Sequence, residues 1–279
     1  MPIALDTFLS SLYLFSAPFL RVSAMMLVAP VFSAPGLSVR TRVLLATLVA
    51  ALVAPSLPAS NLPDMFSATG LLAAFQEVGV GLMIGFILQL AFGAIVFGAQ
   101  AMSMTMGLGF AMAVDPQNGV QVPVVAQLYV ILGTLLFLSL DGHLMLIAAV
   151  VESYRLVPAG INGISASALS GLVSLGSIVF SGGILLALPV MTALLLVNLA
   201  FGIITRTAPQ LNIFAVGFPV TILGGLLIMF IVMPGFLDAL RNLFDVSITR
   251  SLMIFNQDHR LLQKSSKDKK KVYSPPASG

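Results

Sequence analysis

Between Arg155 and Arg206 lie 50 residues without a single Asp, Glu, Lys or Arg, and between Glu77 and Asp115 lie another 37. A water-facing surface carries roughly a quarter charged residues, whereas a helix needs only about 20 apolar residues to cross a bilayer. Runs of this length exclude a soluble fold and leave room for several crossings. The chain reads as an all-α integral membrane protein. With 58% of its 279 residues apolar and 8% charged, no stretch remains for a separate soluble domain.

The charges that do occur are unevenly placed. Residues 1–240 hold five arginines against seven acids, a net of −2, while residues 241–279 hold eight basic residues against three aspartates, a net of +5. All five lysines fall within Lys264–Lys271. Basic residues beside membrane spans stay on the cytoplasmic side, so a cytoplasmic C-terminal tail is expected. A nucleic-acid role for that tail is a poor second reading, because a short basic run beside a membrane marks orientation or anionic lipid. Asp6, with no basic residue, precedes the first apolar run; a secretory signal has the opposite flank, and the first helix is expected to be retained.

Six hydrophobic segments follow one another: about Leu9–Val31, Arg42–Leu57, Leu71–Gln100, Val124–Tyr154, Ser167–Ile204 and Ile213–Met233. Proline and glycine clusters mark the breaks between them. The third is dotted with glycines at 79, 81, 85, 93 and 98, which allow close helix approach. The third and fifth exceed one crossing, so tilted, kinked or hairpin helices are expected. Pro189 and Pro219 lie inside the fifth and sixth, where a transporter reading would break the helices. A simple six-span topology with a cytoplasmic C-terminus would turn Arg40 and Arg42 outward, against the positive-inside tendency.

Few residues invite chemistry. The chain has no cysteine and two distant histidines, His143 and His259, so no metal or cofactor site is expected. Glu77, Glu152, Arg155 and Arg206 sit near segment ends, where helix-end or interfacial charges are the plain reading; Glu152 and Arg155 have the spacing of a same-face pair. Asp141-Gly-His143 interrupts the fourth segment midway and reads as a kink or buried hydrogen-bonded pair ahead of a proton relay. Gln89, Gln100, Gln127 and Asn198 read as interhelical hydrogen-bond partners. No phosphate-cradling loop or nucleophile elbow is present, so no enzyme is expected.

The stretch Met102-Ser-Met-Thr-Met-Gly-Leu-Gly-Phe-Ala-Met-Ala-Val-Asp-Pro116 has the most unusual composition, with four methionines in eleven residues. Glycines loosen it, methionine adapts to varied surroundings, and Asp115-Pro116 ends it as a turn. By composition it is either a buried connector or a deformable loop able to occlude a passage.

Several stretches together resemble the FliR family of flagellar biosynthetic proteins, inner components of the type III export gate. They are Gly107–Pro116 followed by Asn118; Phe137-Leu-Ser-Leu-Asp-Gly-His143 with Glu152-Ser153; and above all Arg206-Thr-Ala-Pro-Gln-Leu-Asn-Ile-Phe214 with Gly217-Phe-Pro219. The resemblance covers about residues 5–260. It implies a non-enzymatic subunit that joins FliP and FliQ in a helical assembly, with FlhB on its cytoplasmic side, in the bacterial inner membrane, passing unfolded export substrates. It implies an export-gate body over residues 1–245, with bent helical pairs lifted from the bilayer plane.

The family's plug falls on Met104, Met106, Gly107, Leu108, Gly109, Phe110, Ala111 and Met112. Asp115, Pro116, Asp141, Gly142, His143, Arg206, Pro209, Gln210, Asn212, Gly217 and Pro219 carry over as packing positions. Beyond that body, Ile248, Leu252 and Phe255 at i, i+4 and i+7 mark an amphipathic helix over 246–263, followed by a basic flexible tail at 264–279. A virulence injectisome counterpart shares the Ala-Pro-Gln-Leu-Asn block but more often carries a lysine after it; the uncharged Gly217–Gly225 run favours the flagellar member. A small-solute transporter with broken helices is the more remote alternative.

Overall fold

A computed structural model of the protein describes residues 2–57, 67–108, 124–160, 165–207 and 213–272. Every regular element among them is helical: α1 (Pro2–Val28), α2 (Pro30–Ser33), α3 (Val39–Val53) with a 3₁₀ turn at Ala54–Ser56, α4 (Ala68–Thr105), α5 (Val124–Ser139), α6 (Gly142–Leu156), α7 (Ala166–Ser174), α8 (Ser177–Thr207) and α9 (Ile213–Val272). In lipid no water can satisfy open backbone groups, so apolar runs of this kind must pair their amides internally. All six hydrophobic segments are helical, with the first interrupted at Ala29 and the fourth and fifth each broken in two.

Where helices begin, small hydroxyls satisfy the first free amides. The Ser38 hydroxyl accepts from Thr41 N at 3.2 Å, Ser67 from Gly70 N at 3.0 Å and Ser165 from Ala168 N at 3.1 Å. Pro30 opens α2, where its missing N–H costs nothing. Prolines inside the helices behave otherwise. Pro18, Pro189, Pro219 and Pro234 all lie within continuous helices, so the breaks that a transporter reading places near Pro189 and Pro219 do not divide α8 or α9. The divisions inside the hydrophobic segments fall at Ala29, Leu140–Asp141 and Leu175–Gly176.

Among the described residues three stretches are long and apolar enough to cross a membrane: Ala68–Thr105, Ala166–Thr207 and Pro219–Arg250. The bent pair α5 and α6 makes a fourth if counted as one span. They are not equivalent. In α4, 61% of the most apolar window is buried within the chain, against 22% in each of the other two. Thus α4 is a core helix, while α8 and α9 turn large side chains such as Phe180, Leu185, Leu195, Leu227 and Phe230 outward. Those faces must be covered by lipid or protein.

The chain packs as two units. The first comprises residues 1–89, 143–174 and 247–279; the second comprises 90–142 and 175–246. In the first, α1 lies directly against α4. A Cβ on Gly85 would fall 2.6 Å from the Met25 carbonyl oxygen, and one on Gly81 would collide with that of Arg21. In the second, α4 and α8 touch in the same manner: a Cβ on Gly98 would fall 2.5 Å from Gly183 O, and one on Gly183 would fall 2.7 Å from Ala94 O. Two aromatic groups complete that unit. Phe92, Phe137 and Phe244 have centroids 5.2–6.3 Å apart, and Tyr129 meets Phe236 edge-on at 4.3 Å.

Candidate functional site

Two places concentrate polar groups in this apolar chain. In the first unit, Arg21 on α1 is fully buried and faces Glu77 on α4, also fully buried. The guanidinium Nε donates to one carboxylate oxygen at 2.7 Å and an Nη to the other at 3.1 Å, a bidentate pair. The Tyr154 hydroxyl donates to the same carboxylate at 2.9 Å, and its ring lies 3.7 Å beneath the guanidinium carbon. The remaining contacts run to Ser153 Oγ at 2.8 Å and Val157 O at 3.1 Å. The Ser153 hydroxyl in turn donates to Val150 O at 2.6 Å. Four of the five arginine N–H donors are thereby used, and α1, α4 and α6 are tied together at one point.

This corrects the reading of Glu77 as a helix-end charge. Arg21 was missed altogether, although it is the lone charge within Leu9–Val31 and a charge inside an apolar segment marks a special site. Glu152 and Arg155 do form the expected same-face pair, at 3.2 Å and open to the surroundings.

The second place is the C-terminal end of α4. A helix leaves its last four carbonyls without intrahelical donors, a serious cost in apolar surroundings. Here each one is met. Met106 N donates to Met102 O at 3.0 Å, Leu108 N to Ser103 O at 3.1 Å and Gly107 N to Met104 O at 3.1 Å. Gly107 adopts φ 84°, the left-handed turn that this capping pattern needs and that glycine reaches without strain. Side chains from elsewhere take the fourth and the carbonyl that follows it: Asn198 Nδ2 of α8 donates to Thr105 O at 3.4 Å, and Thr221 Oγ1 of α9 donates to Met106 O at 3.2 Å. Asn198 is thus an interhelical partner, as expected.

The methionines at this end part company. Met106 is fully buried, and a Cβ on Gly225 of α9 would fall 2.7–3.1 Å from its Cγ, Cε and Sδ. Met104 is 65% exposed, and Leu108 is half-buried. Gly109, Phe110, Ala111 and Met112, and likewise Asp115 and Pro116, lie outside the described residues.

At the break in the fourth segment, Asp141 supplies the turn through its backbone, at φ 55°, a region where aspartate is among the better tolerated residues. A Cβ on Gly142 would overlap the Phe137 ring, so glycine is demanded there. His143 buries an Nδ1 that has no partner among the described residues. The chain turns here as the kink reading has it.

Arg206 closes α8 in its last turn and is exposed. Gly217 and Pro219 lie near the start of α9, with open space about Gly217 among the described residues. Pro209, Gln210 and Asn212 fall outside those residues, as do the side chains of Leu252 and Phe255, while Ile248 is buried. Among the described residues no cluster of His, Cys, Asp or Glu could hold a metal ion.

Residues 12–247 match the family described as bacterial export proteins, family 1. The flagellar biosynthetic protein FliR of Escherichia coli strain K12 is 39% identical over 229 residues, covering 82% of this chain and 87% of that protein. That of Pectobacterium carotovorum is 40% identical over 217 residues, covering 78% and 83%. The FliR of Bacillus subtilis strain 168 is 27% identical over 240 residues, covering 82% and 90%. With a match that takes in most of its length and every long apolar helix, the chain belongs to family 1 of the bacterial export proteins, among its FliR members.

Proposed function

We propose that the chain is a membrane-embedded, non-enzymatic subunit of the flagellar type III protein export apparatus. It forms, with FliP and FliQ, the channel through which unfolded flagellar proteins leave the cytoplasm. What carries the reading is the 39–40% identity to two flagellar FliR proteins over most of either chain. The outward apolar faces of α8 and α9 support it, since they offer neighbouring helices a large surface. FlhB binds on the cytoplasmic side, the basic tail faces the cytoplasm, and the assembly sits in the bacterial inner membrane. Energy comes from other components and the proton motive force.

Within the assembly, Met104 and Met106–Met112 plug the path at rest. A soft apolar constriction suits this task because it expels water when closed and yields to a passing chain. Asp115, Pro116, Pro209, Gln210, Asn212, Gly217 and Pro219 shape the turns and helix starts by which subunits align.

Co-purification tests the assignment: the chain should emerge in a stable hetero-oligomer with small hydrophobic partners. Recovery of a self-sufficient monomer would refute it. Deleting Met106–Ala111 should raise ion leakage through the assembled complex, and unchanged conductance would sink the plug role.

A further inference from the structure

We infer that Asn198, Thr221 and Gly225 are positioning residues for the gate: together they form a socket that holds the end of α4 and so sets where the methionine-rich segment begins. The inference rests on the plug reading above, and concerns only the residues that fix its root.

Three observations on separate elements converge. The last carbonyl of α4, Thr105 O, and the one that follows it, Met106 O, receive their donors from α8 and α9 and not from α4 itself. Met106 is fully buried while Met104, one turn-half away, is exposed, so the two methionines serve different ends. Gly225 leaves room for the Met106 side chain that any larger residue would fill, with three of that side chain's atoms within 3.1 Å of where a Cβ would stand. Gly225 has no conformational need to be glycine, since it lies inside a helix and glycine there weakens the helix relative to alanine. Its value is the space. Met106 is therefore a peg, Gly225 the hole, and the Thr221 and Asn198 side chains the two ties that complete the cap begun by Gly107. A segment meant to yield needs one end that does not, and this is that end.

The chain contains no cysteine, so paired thiols report on the socket without background. In the complex purified with its partners, Met106→Cys with Gly225→Cys should cross-link readily under mild oxidant, because facing Cβ positions within about 4.5 Å suit a disulfide. Failure to cross-link would overturn the socket. Thr221→Val removes the hydroxyl at nearly constant shape and leaves Met106 O unmet; resting leak should rise about tenfold, the population shift that one unmet buried acceptor produces. Thr221→Ser, which keeps the hydroxyl, should restore the closed level, whereas loss through mere misfolding would not be rescued with assembly unchanged.

Deleting Met106–Ala111 serves as the reference arm. If the deletion leaks and Thr221→Val does not, the socket is wrong and the plug stands. If the deletion itself does not leak, the plug reading falls and takes the socket's purpose with it.

Discussion

The two packed units solve the problem of cohesion in opposite ways. The first is tied by charge: one arginine, one carboxylate, a phenol and a serine, all shut away from water. The second is tied by shape, with glycine set against glycine between α4 and α8 and three phenylalanines meeting edge to face. In lipid the hydrophobic effect adds little between helices, so both devices compensate for its absence. They differ in how they fail. Shape degrades in steps, one contact at a time, whereas a buried ion pair that loses one partner leaves the other charge stranded.

That contrast can be broken experimentally, starting where the effect is largest. Glu77→Leu strands the Arg21 guanidinium and should cost about 3–5 kcal/mol, a large share of the roughly 5–15 kcal/mol that holds a typical domain together. Recovery of folded chain in the complex should collapse. Adding Arg21→Met should restore most of it, because a matched apolar pair tolerates burial that a lone charge does not. Parental yield from the single variant would show that the first unit does not depend on the pair.

Gly183→Val comes next. It drives a side chain into the Ala94 carbonyl and the Phe97 ring and should cost about 1–3 kcal/mol, lowering the melting temperature of the purified complex without abolishing assembly. Phe137→Leu removes the ring that meets both Phe92 and Phe244 while leaving much of the apolar volume, at roughly 1 kcal/mol. Should it prove as damaging as Glu77→Leu, the idea of graded failure in the second unit would be lost. Smallest of all is Glu152→Gln. Its ion pair with Arg155 is open to the surroundings, and such pairs contribute about 0.5 kcal/mol or less, so the melting temperature should barely move.

Much of the architecture could be read from residue order, because apolar runs broken by Pro and Gly are local signals. The six segments, the glycine-rich close approach, the kink at Asp141 and the Glu152–Arg155 pair all follow from neighbours within a few positions. The ionic tie did not. Its members stand 56 to 136 residues apart, and one arginine is hidden by the average hydropathy of its segment. The socket was half legible: Asn198 read as an interhelical partner, but Thr221 and Gly225 looked like ordinary members of an apolar helix. Proline was a weaker signal: the transporter alternative would break the helices at Pro189 and Pro219, yet they continue there, because packed neighbours and local adjustment absorb a missing backbone donor in membrane helices. The break at Leu175–Gly176 had no such marker.

The arginine of α1 also imposes an order on biogenesis. On insertion scales a central arginine costs a lone helix about 2.5–3.5 kcal/mol, and its counter-ion lies 56 residues further along the chain. At about 5–20 residues per second, the ribosome adds that carboxylate some 3–11 s after Arg21, and Ser153 and the Val157 carbonyl later still. Throughout this interval the nascent helix holds an unneutralised cation, and the tie can close only once α4 and α6 have both been made.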